Sequence, residues 1–177
     1  MRRFLDRLYA ASGALAAVCL ASIAAVMLLQ AGMREFGLLL RGGDDIVAWL
    51  CAASAFLALG HTFRRGELVR VGLIIDLLPP RQRRRTALAA LGITVLFVGY
   101  MVYAVFRFVY ESWKFEEVAQ GLIRIPIWIP QMSFALGALV LFIAVLDEFV
   151  VLARGGKPAY QAAEEDRRAR KDFSETL

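Results

Sequence analysis

The chain has a single histidine, His61, and two cysteines, Cys19 and Cys51. Zinc and haem centres need several ligands, so a lone His with no Cys/His cluster beside it excludes the usual arrangements and reads as a hydrogen-bonding side chain near a membrane interface. Both cysteines fall in apolar runs without His or carboxylate neighbours and behave as small apolar residues, silent on redox compartment. An H-E-x-x-H pair, a phosphate-cradling glycine loop and a Ser/His/Asp set are also missing. The sequence therefore offers no metallopeptidase, ATPase or hydrolase chemistry, and the chain is read as a non-enzyme without a cofactor.

The most informative absence is charge over long stretches. Residues 8–33, 46–63, 86–106 and 125–146 contain no Asp, Glu, Lys or Arg. About 20 helical residues cross the hydrocarbon of a bilayer, so all four runs qualify as spans, the second only just. With 59% hydrophobic residues in 177, the chain carries more apolar surface than one soluble core can bury. The expected fold class is all-α and integral to the membrane, with four transmembrane helices in a domain over 1–154 and a charged tail over 155–177. The first run is too long for the apolar region of a cleaved secretion signal and is read as a retained helix.

The formal charge is +5. The basic residues sit between the spans, not along one soluble face, so they signal topology and no nucleic acid partner is implied. Of the 21 Lys and Arg, sixteen lie in the N-terminal tail, the 64–85 connection and the C-terminal tail, against five in the other two connections. The positive-inside rule then puts both termini and the central connection in the cytoplasm. The resulting location is the bacterial inner membrane, crossed several times.

Within this frame several residues stand out. Gly13, Ala17, Ala21 and Ala25 recur every four positions in the first span and line one helix face with small side chains. Such a face admits close approach of another helix, from this bundle or from a second protein. Asp44 and Asp45 precede the second span and are expected to cap its helix. Arg64 and Arg65 sit where guanidinium groups meet lipid phosphates or a neighbour's carboxylates. The segment 66–80 is too short to span and is expected to lie in the interface, with Arg70 near Glu67 on the wheel and Asp76 on the opposite side seeking a cationic partner. Trp113, with Tyr100, Tyr103 and Tyr110, belongs to an aromatic belt at the outer surface. Near the fourth span, Pro126 and Pro130 bracket Trp128 and read as an entry turn more readily than as a broken helix lining an ion site. No span carries an ionisable residue at mid-depth, where a carrier acting alone would be expected to hold one.

The order of these features resembles a known family. An acidic pair (Asp44-Asp45), an apolar span, Arg64-Arg65-Gly66, a short run from Val71 to Asp76, Leu78-Pro79-Pro80 and the cluster Arg83 to Arg85 follow one another. Arg34 after the first span and Ile125-Pro126-Ile127-Trp128-Ile129-Pro130-Gln131 before the fourth fit the same pattern, and the likeness covers roughly residues 1–150. This is similar to the small membrane subunit of tripartite ATP-independent periplasmic (TRAP) transporters. Two departures are visible: Glu67 and Leu68 stand where a His is expected after the Arg-Gly, and the acidic pair is Asp where Glu is commoner. The resemblance implies an accessory scaffold subunit of a sodium-coupled importer of an organic anion. Its partners would be a large membrane subunit carrying the substrate and ion sites, a periplasmic substrate-binding protein and membrane lipids. Partner or lipid contacts would then fall to Gly13, Ala17, Ala21, Ala25, Arg64, Arg65, Arg70, Asp76, Trp113 and Trp128. The rival reading is a small four-span channel or carrier homo-oligomer acting alone.

Overall fold

The computed structural model describes residues 2–65 and 79–156. Four helices account for most of them: α1 (Arg2–Glu35), α2 (Gly43–Arg65), α3 (Pro80–Lys114) and α4 (Trp128–Ala153). All four are long and apolar enough to cross a membrane. Among the described residues the only extended pairing is an isolated bridge between Val118 and Pro126. The segment 66–78, with Arg70 and Asp76, and the tail 157–177 lie outside the described residues.

The helices outrun the uncharged stretches that announced them. α1 begins at Arg2 and α3 runs from Pro80 through Arg107 to Lys114. Absence of charge measures the hydrocarbon layer, whereas a helix continues through the headgroup region while its backbone bonds are satisfied. Arg107 Nε stays within the helix by pairing with Glu111 Oε1 one turn on, at 2.9 Å.

Local chemistry sets the ends. Pro79 takes φ −56° and ψ 148°, an extended state imposed by the proline after it, and Pro80 opens α3 where a missing N–H costs nothing. α4 ends on Gly155 at φ 83°, whose N–H bonds Leu152 O at 3.1 Å while the Gly156 N–H bonds Val151 O at 2.9 Å. This left-handed cap favours glycine because it has no Cβ. α4 starts at Trp128, three residues later than the apolar run, because Ile125 and Ile127 pair with the preceding loop. Pro126 thus lies in the bridge and Pro130 in the first helical turn, which is the entry turn expected.

α4 packs between α2 and α3, and α1 packs on the far side of α2, so the spatial order is α1, α2, α4, α3. In the most apolar stretch of each helix, 44% of residues are buried in α4 and 28% in α2, against 11% in α1 and 6% in α3. The inner pair is therefore α2 and α4. Their axes approach because both supply glycine at the crossing: a Cβ on Gly137 would lie 2.4 Å from the Phe56 carbonyl carbon, and one on Gly60 would lie 2.6 Å from Val140 Cγ1. Lipid solvates apolar side chains, so close packing of this kind is what holds transmembrane helices together. Phe56 and Phe134 add a tilted ring contact at 5.4 Å.

Candidate functional site

The ionisable groups collect at the two ends of the bundle. At one end, Arg64 in the last turn of α2 reaches across to two other helices. Its Nη1 donates to Asp147 Oδ2 of α4 at 2.7 Å and its Nη2 to Asp6 Oδ1 of α1 at 3.0 Å. Glu148 Oε1 lies 3.7 Å from the same Nη1, and the guanidinium sits 5.5 Å over the Tyr9 ring of α1. The planar fork makes this possible, since its N–H groups diverge in one plane and can serve two helices at once. Glu148 and Tyr9 are almost wholly buried. Around them Phe63, Ala87, Leu91, Ala144, Val145 and Leu152 form the larger apolar cluster, which shields the Asp147 and Glu148 side of the group from water and strengthens it, while Asp6 stays exposed.

One turn further into α2, His61 Nδ1 lies 3.1 Å from the Tyr9 carbonyl oxygen. A carbonyl only accepts, so the proton is assigned to Nδ1. The ring occupies the space above Gly13, where a Cβ would fall 2.9 Å from His61 Cγ. Ser12 Oγ donates to the Leu57 carbonyl, which completes a polar seam between α1 and α2. α3 joins the same end through Arg84, whose Nη2 donates to the Leu152 and Ala153 carbonyls at 3.4 and 3.3 Å. The Ala153 carbonyl and the Leu152 carbonyl, which also accepts from the Gly155 N–H, lie at the negative end of α4, the place where a cation is most favourable.

The opposite end is closed differently. Asp45, in the first turn of α2, accepts the Leu122 N–H at 2.8 Å and the Ile123 N–H at 3.3 Å, both on its Oδ2. Asp44 Oδ1 accepts from Gln30 Nε2 of α1 at 3.1 Å. The expected capping role gives way to tying of chain segments because the main chain of the 115–127 loop passes directly over the helix start. Two glycines allow that approach: a Cβ on Gly121 would lie 2.2 Å from Asp45 Oδ2, and one on Gly42 would lie 2.3 Å from Ile123 Cγ1. The loop is braced by the Ala119 N–H to Ile125 O at 2.9 Å, the Ile127 N–H to Glu117 O at 3.0 Å, and Ser112 Oγ to Glu117 Oε2 at 2.8 Å.

Of the residues singled out from the sequence, the structure brings Arg64 into an ion-pair group within the chain. Arg65 follows it at the exposed end of α2. Gly13 packs on His61, whereas Ala17, Ala21 and Ala25 are exposed. The seam to α2 runs one residue away along Ser12, Ala16 and Cys19, so three of the four small residues face outward. Trp113 is exposed at the end of α3, 6.0 Å from the Tyr110 ring, and Trp128 is half-buried at the start of α4. No local motif marks Asp6, Tyr9, Asp147 and Glu148 as partners of Arg64. The available signal was depth: topology puts the end of span two, the end of span four and the N-terminal tail at one membrane surface.

These features define a multi-pass membrane protein whose ionisable groups fasten helix ends to one another. Among the described residues no group of His, Cys, Asp and Glu is arranged to hold a metal ion. Residues 23–155 match the family described as tripartite ATP-independent periplasmic transporters, DctQ component, and the chain belongs to that family. No curated protein matches the chain.

Proposed function

We propose that this chain is the fixed small subunit of a sodium-coupled transporter that imports an organic anion, a carboxylate, across the bacterial inner membrane. A large membrane subunit carries the solute and ion sites, and a periplasmic binding protein delivers the solute. The Arg64 end and both termini face the cytoplasm, and the Asp45 end faces the periplasm. Beyond family membership, the observation that carries this reading is the placement of charge. The described carboxylates and cations lie at helix ends or in loops, while the middles of the spans are apolar. Binding a solute anion or sodium within the bilayer calls for buried polar or unwound backbone groups at mid-depth. Helices stapled at both ends and packed closely in the middle suit a frame against which another subunit moves.

Co-expression with the large membrane subunit tests the proposal. The two should co-purify in detergent, and liposomes should accumulate solute only when both subunits and the binding protein are supplied with a sodium gradient. Uptake by liposomes containing this chain alone would instead establish a self-sufficient carrier.

A further inference from the structure

The last turn of α3, the loop after it and the first turn of α4 form an open cavity of about 570 Å³ at the surface, lined by Trp113, Lys114, Glu116, Val118, Pro126 and Trp128. This volume lies within the range of small-ligand sites. The lining is built rather than incidental. The Val118–Pro126 bridge fixes one wall. Glu116 holds φ at 50°, the one left-handed non-glycine residue among those described. Such a backbone state persists only where its surroundings enforce it. Here they are the Glu116 N–H to Trp113 O at 3.3 Å and the Glu117 N–H to Ser112 O at 3.0 Å. Glu117 spends its carboxylate on Ser112, while Glu116 lines the cavity. Lys114 lines it too, its ammonium 5.8 Å from the centre of the Phe115 ring.

Depth narrows the ligand. From Arg84 to Lys114 the helix has 31 residues, about 45 Å at helical rise, which equals a bilayer including both headgroup layers. Arg84 and Lys114 therefore fall in opposite headgroup layers, and the cavity opens at the level where indoles prefer to sit. One cation, one anion and two tryptophans are among its lining residues. A simple anion would meet Glu116 and a simple cation would meet Lys114. A molecule carrying both signs on adjacent groups, with an apolar part directed into the bilayer, meets neither repulsion.

We propose that this cavity holds the headgroup of a zwitterionic aminophospholipid, with Lys114 on the phosphate, Glu116 on the ammonium and the Trp113 and Trp128 rings flanking the glycerol region. The site depends on the helices crossing a bilayer and not on the scaffold role, so the two readings fail separately. The test uses the full-length chain with its large subunit in nanodiscs of equal phosphatidylethanolamine and phosphatidylglycerol, followed by native mass spectrometry of retained lipid. Phosphatidylethanolamine should be retained about fivefold over phosphatidylglycerol. Lys114→Gln should remove most of that excess at an unchanged melting temperature. Glu116→Lys should reverse the preference toward phosphatidylglycerol. Equal retention of both lipids by the parent chain, or an unaltered ratio in Glu116→Lys, would overturn the site. So would loss of binding-protein docking in that variant with its lipid ratio unchanged. Co-purification of the large subunit, read in the same samples, reports on the scaffold proposal independently.

Discussion

At one end of the bundle three helices converge on a single guanidinium, whereas at the other a carboxylate holds a loop by two main-chain N–H groups. The Arg64 group joins α1, α2 and α4 through side chains distant in sequence, and it is backed by the larger apolar cluster. The Asp45 group joins α2 to the 115–127 loop, and its fit depends on Gly121 and Gly42. Breaking the first should loosen helix against helix. Breaking the second should free a loop and leave the bundle standing.

The largest effect is expected from Arg64→Ala. It leaves Asp147 and the buried Glu148 without this cation, and a partly exposed group of this kind should lose about 2–3 kcal/mol of stability. Thermal unfolding in detergent measures it, and an unchanged melting temperature would show the ion pairs to be ornamental. Arg64→Lys retains charge but not the fork that reaches Asp147 and Asp6 together, so it should recover only part of the loss. Asp45→Ala comes next, at about 1–2 kcal/mol for two N–H groups losing their acceptor. Its signature is local: faster hydrogen exchange at Leu122 and Ile123 with slow exchange retained in α4. Gly121→Ala should reproduce that signature, because the new Cβ expels the carboxylate. The double variant should cost less than the sum of the two, by about 1 kcal/mol in a double-mutant cycle, and strict additivity would mean that they act separately. Smallest is Asp6→Asn, where an exposed partner is lost, at under about 0.5 kcal/mol in the same unfolding assay. A larger loss there would mean that α1 depends on the Arg64 group more than its geometry indicates.

The same contrast separates what the sequence made legible from what it hid. Four spans could be read from uncharged runs, since the bilayer imposes a length that composition reports directly. The first helix start could not, because Arg2–Arg7 is helical through local bonding that hydropathy does not register. Arg64 was conspicuous as a charge at a membrane surface, but its partners lie 58 and 83 positions away. Proximity across such separations comes from the packing order α1, α2, α4, α3, which periodicity within one helix does not encode. Asp45 has a strong intrinsic tendency to cap, and that tendency was overridden by a loop whose approach depends on glycines 76 positions away and nearer. The small-residue repeat was legible as a close-packing face, yet among the described residues only Gly13 uses it. Ala17, Ala21 and Ala25 remain exposed, as do Leu96, Phe97 and Tyr100 on α3.

The scaffold proposal makes a sharp statement about where cargo is held. A density map of the transporter assembled in a lipid bilayer, with solute and sodium bound, examines it most directly. The account predicts that every coordinating atom belongs to the large subunit, while Arg64 still bridges Asp6 and Asp147 within this chain. Solute or sodium ligated by side chains of α1 to α4 would contradict it.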